Sequence, residues 1–144
     1  MWAKRKSGRS GLRIRGGRGH PVVRKSLIRY AAWLRAHHEF PVRLVVYLLP
    51  SRSFSTTEGQ SAVISFFAPF DPRHEPYARI ATGDYPAEST KFGRDNALAT
   101  YIHALGRQIV HYQQWLESGS THNRGVDRKA SAMLRRYNRV TARP

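Results

Sequence analysis

The chain has 144 residues, enough for one domain with a modest core, and it carries 25 Lys and Arg against 9 Asp and Glu. It has no cysteine, which excludes a disulfide framework and any thiolate metal site, and no apolar run near the ~20 residues that span a bilayer. A net charge of +16 exceeds what solubility requires and predicts attraction to polyanions.

Residues 1–20 hold Lys4, Arg5, Lys6, Arg9, Arg13, Arg15 and Arg18 and no acid. Rich in Gly, Arg and Ser, this stretch offers little apolar surface to set against ordering entropy, so it reads as a disordered basic tail. Its Arg15-Gly16-Gly17-Arg18-Gly19 run suits phosphate contacts and base stacking, and equally suits a plain flexible leader. No hydrophobic run follows the basic start, so it does not read as a secretory signal, and a cytoplasmic protein is expected.

Pro21 opens a helical pattern, with Val23, Leu27, Tyr30 and Leu34 on one face. It ends near His37-His38, where adjacent imidazoles point about 100° apart and suit capping better than chelation. Three strands are predicted next, over 42–49, 62–67 and 77–82, with turns short enough for antiparallel pairing. Gly83-Asp84 and Pro86 close the third. Asp95 is the expected N-cap of a second helix whose Leu98, Ile102, Leu105, Ile109, Tyr112 and Leu116 form the core stripe. His103, Arg107, His111 and Gln114 share a different face of it. A last helix, about 124–139, turns Val126, Ala130, Met133, Leu134 and Tyr137 inward and its arginines outward. Trp33 and Trp115 are expected in the core and Trp2 in the tail. The fold class is α+β: a helix, a three-stranded mainly antiparallel sheet, a motif helix and a C-terminal helix, as one domain over 21–140.

The segment Arg107-Gln108-Ile109-Val110-His111 has the outline of a His-Glu-x-x-His helix, in which two imidazoles one turn apart bind Zn²⁺ and the Glu is the general base. With the element order, it resembles the minimal zincin metallopeptidase domain, of which minigluzincins and SprT-type domains are the nearest groups. The resemblance covers about residues 21–138. It implies that Arg107 stands at the first ligand position, Gln108 at the general-base position and His111 at the second ligand position. Asp127, in Asp127-Arg128-Lys129-Ala130, stands at the third. Arg107 has no lone pair to donate, and Gln108 cannot take a proton from a metal-bound water. A site of His111 and Asp127 alone would hold Zn²⁺ weakly, and Arg107 is expected to pair with Asp127 in place of the metal. His103-Ala104-Leu105-Gly106-Arg107 half-matches the same motif one turn earlier. There His103 reads more simply as a half-buried histidine, while His111 reads equally as a remnant ligand or a core histidine.

The expected function is therefore a proteolytically inactive zincin-fold protein acting as a basic nucleic-acid-binding module. Its contacts would come from Lys4, Arg5, Lys6, Arg13, Arg15 and Arg18 and from Arg128, Lys129, Arg135 and Arg136 of the last helix. No cofactor is required. A peptide in the zincin groove is a second partner the resemblance allows. The alternatives are a zinc-dependent metallopeptidase with non-standard ligands, or an inactivated variant of one.

Overall fold

The computed structural model describes residue 2 and residues 9–141. Strand β1 (Leu12–Arg15), helix α1 (Pro21–His37) and strand β2 (Leu44–Leu49) form one parallel crossover unit, with Leu12 opposite Leu44 and Arg15 opposite Tyr47. A helix is the usual way to return the chain for parallel pairing. Pro21 supplies a preset first turn, and the His20 Nδ1 accepts the Val22 backbone N–H at 3.2 Å. The predicted stripe of Val23, Leu27, Tyr30 and Leu34 is fully buried.

A small hairpin follows, β3 (Phe54–Ser55) with β4 (Ser61–Ala62), and then β5 (Ile64–Phe67) and β6 (Tyr77–Ala81). The main sheet runs β1-β2-β6-β5. β6 is parallel to β2 and antiparallel to β5, which forms one edge. Alternate residues Leu44, Val46 and Leu48 of β2 and Ala78 and Ile80 of β6 join the core cluster shared with α1 and a long helix α3 (Arg94–Ser118). A short helix α2 (Tyr85–Phe92) precedes α3, and α4 (Val126–Thr141) packs against it.

The sheet thus has four strands with two parallel pairs, where three mainly antiparallel strands were expected. The reason is β1. The segment read as a tail through residue 20 folds from Gly11 onward: Leu12 is buried, and Arg13 and Arg15 alternate outward. Gly16 sits at φ +109° with its Cα side pressed on the Leu48 backbone, so a Cβ there would lie 2.2 Å from the Leu48 carbonyl oxygen. Folded structure therefore reaches well before residue 21, through β1 and, at the N-terminus, Trp2. The Trp2 N–H donates to the Glu117 carbonyl at 3.2 Å, and its ring meets Trp115 edge-on at 5.6 Å. α2 was read as a loop because Pro86 looks like a terminator; here Pro86 occupies the first turn, where its missing N–H costs nothing. The N-cap of α3 is Gly93 at φ +87°, a backbone Asp95 would resist. Asp95 instead lies in the first turn, where a carboxylate favours the helix N-terminus.

Candidate functional site

Helix α3 is covered on most of its circumference. Leu98, Leu105, Ile109, Tyr112 and Leu116 are buried as the periodicity requires, and Ile102 is half-buried against the same cluster. On the flank, Gly106 lets α4 approach so closely that a Cβ there would sit 3.4 Å from the Ala130 Cβ. One strip stays accessible, and it carries His103, Arg107, His111 and Gln114, all half-buried. They are spaced four, four and three residues apart, which is one helical face.

Above this strip lies the edge strand β5, and beside it α4. The space at its N-terminal half is a cleft of about 260 Å³. Thr100, Tyr101, His103, Ala104 and Arg107 of α3 line one wall, with Ile64 of the edge strand and the preceding Val63 opposite and Ile80 and Ala81 of β6 behind. Asp84 and Glu88 close the end at α2. Glu88 accepts the Tyr101 hydroxyl at 2.6 Å, and burial together with that carboxylate pushes the phenol well above its usual range. These two acids and Tyr101 are not among the candidates the sequence offers, because α2 is not among the predicted helices and Asp84 reads only as part of the turn that closes the third strand.

Across the strip, α3 and α4 exchange side-chain contacts in antiparallel order. Arg107 Nη1 donates to Asp127 Oδ1 at 2.7 Å, as the sequence suggested. His103 Nε2 lies 3.2 Å from Ser131 Oγ. His111, one turn beyond Arg107, contacts Gln114 Oε1 through Nδ1 at 3.2 Å and faces the Phe66 ring of β5 at 6.0 Å. Burial above all holds its imidazole below the usual histidine range; the Gln114 hydrogen bond opposes this, and the Arg107 and His122 charges add smaller contributions in the direction of burial. His111 is thus a neutral, half-buried ring at neutral pH.

Gln108 does not join this group. It is 2% exposed, turned into the core, and its Oε1 has no partner. The general-base position of the 107–111 register therefore points away from the cleft. Of the two overlapping windows, the earlier one lines the cleft with all three of its key positions, His103, Ala104 and Arg107.

Zinc does not fit the residues present. The carboxylate of Asp127 is held by a guanidinium, whose charge opposes a divalent ion, and among the described residues no three His, Asp or Glu side chains cluster as a metal site. Of the expected nucleic-acid contacts, Arg13, Arg15 and Arg18 are exposed around β1, and Arg128, Lys129, Arg135 and Arg136 are exposed on α4. Lys4, Arg5 and Lys6 lie outside the described residues. Among the described residues no helix is long and apolar enough to cross a membrane. Comparison with protein-family models, with curated proteins and with solved structures finds no match for this chain.

Proposed function

We propose that this protein is a nucleic-acid-binding module built on a zincin-like frame that has no peptidase activity. The observation that carries the binding half is the placement of charge. α1 exposes Arg24, Lys25, Arg29 and Arg35 and contains no acidic residue. α4 exposes five basic residues, Arg128, Lys129, Arg135, Arg136 and Arg139, with Arg124 just before it, and its one acid, Asp127, is already paired. Helix faces with no unpaired acid neutralise phosphates without reading sequence. Anisotropy of a labelled oligonucleotide tests the reading. Affinity is expected to fall at least tenfold between about 50 and 200 mM salt, the loss that roughly two phosphate contacts produce, with little dependence on base sequence. Undetectable binding at low salt removes the proposal.

The zincin-like half is supported by the cleft between an edge strand and a helix whose facing positions are His103, Ala104 and Arg107, with an acid on the next helix. Ala104→Glu with Arg107→His would supply a base and a second imidazole there and free Asp127. Stoichiometric zinc uptake by that double variant, and none by Arg107→His with Gln108→Glu, is the expected result. Failure of the first variant to bind zinc while still folded removes the zincin-like reading and leaves the binding module untouched. A peptide strand beside β5 is the second reading, favoured by the cleft under that unpaired edge.

A further inference from the structure

The rings between α1 and α4 form a graded series from core to solvent. Tyr30 is fully buried, and its ring runs parallel to Trp33 at 5.8 Å and 8°. Trp33 is half-buried and stacks in turn on His37 at 4.4 Å and 24°. Tyr137 of α4 closes the side of the series, 4.7 Å from Tyr30 and 5.6 Å from Trp33. His37 is exposed, so the outward face of its imidazole ends the stack. That ring is also held in place. Its Nδ1 lies 2.8 Å from the Trp33 carbonyl, which can only accept, so Nδ1 carries the proton and the ring cannot swing freely.

Two arginines belong to the same two helices, Arg29 next in sequence to Tyr30 on α1 and Arg136 next to Tyr137 on α4. Both are exposed, and neither is in an ion pair among the described residues. A fixed ring face open to solvent, with unpaired arginines on the same two helices, offers partners for the two things an unstacked nucleotide presents, a π-face and a phosphate. A duplex keeps its base faces covered and could use only the arginines.

We infer that the seam of α1 and α4 is a binding site for single-stranded nucleic acid, with a base stacked on His37 and flanking phosphates on Arg29 and Arg136. This rests on the nucleic-acid reading above and adds to it a location and a strand preference.

The test uses the full chain with end-labelled oligothymidine and oligouridine, and a duplex of equal length, read by anisotropy. His37→Ala is expected to weaken single-strand binding about tenfold, within the range for loss of one base–aromatic stack, and to leave duplex binding unchanged. His37→Phe keeps a ring and is expected to restore affinity. Arg29→Ala with Arg136→Ala should lower the single-strand salt slope by about 1.4, two contacts at roughly 0.7 each. Photo-cross-links from thiouridine oligonucleotides should fall in tryptic peptides 30–35 and 36–43. If His37→Ala binds single strands as tightly as the unaltered protein, or cross-links lie only elsewhere, the seam is not the site although the module still binds. If the unaltered protein binds no oligonucleotide at low salt, the general reading fails and this inference with it.

Discussion

Arg107 and His111 sit one turn apart on the same strip of α3, and each shapes the other's chemistry. The guanidinium takes the Asp127 carboxylate and helps keep His111 neutral. The ion pair adds little stability, since the Asp127 side chain is 71% exposed and exposed pairs contribute roughly 0–1 kcal/mol. The imidazoles matter more for pH. His111 and His38 both have native pKa values below the free value, mainly through burial. The unfolded chain therefore takes up their protons first as pH falls below about 6.5. Stability is then unaffected by these groups above that pH and declines as pH drops toward their native values. Urea midpoints at pH 7.5 and 5.5 should show this decline, and His111→Gln with His38→Gln should flatten it. An unchanged slope in the double variant would assign the acid sensitivity to other groups. At this scale the sequence was informative about partners and silent about direction. The Arg107–Asp127 pair followed from chemistry, but the inward turn of Gln108 depends on which flank of α3 the sheet covers.

Among the elements, the three long helices were readable because each repeats buried positions over several turns. β1 was not, because four residues of which two are arginine carry too little apolar signal to outweigh a Gly/Arg-rich setting. The β1–β2 parallel pairing is hidden for the same reason, since without β1 there is no crossover for α1 to make. The β2–β6 pairing is hidden because short turns suggest that strands adjacent in sequence pair, whereas β5 passes to the sheet edge and β6 returns beside β2. The choice between the two motif windows was equally hidden, since it is fixed by where β5 runs above α3. The α3–α4 contact gives a direct check on helix packing. Gly106→Ala places a methyl at ordinary contact with Ala130 and removes a helix glycine, so it should be neutral or stabilising by up to ~1 kcal/mol. Gly106→Val adds two further methyls into a close-packed seam and should destabilise by about 1–3 kcal/mol. Denaturant unfolding measures both. A stabilising valine would mean that the helices are not in close contact at this point.

Across the whole molecule, charge and fold are distributed unequally. The arginines are dense on α1, α4 and β1, while of the nine acids Asp84 and Glu88 line the cleft, Asp127 pairs with Arg107 at its wall, and Glu75 binds both Arg9 and Arg43. The cleft and the cationic helix faces are therefore separate surfaces, and a ligand on one need not compete with a ligand on the other.

β1 is also a border of the sheet, and borders invite trouble, because an unpaired strand is a template for another chain. Arg13 and Arg15 are exposed on that border strand, on the face opposite the buried Leu12. Their mutual repulsion across two approaching molecules guards against edge-to-edge growth, a duty independent of any ligand. Replacing both with valine should leave the monomer folded yet make it self-associate on standing, visible as rising light scattering, with added salt bringing even the unaltered protein part of the way there.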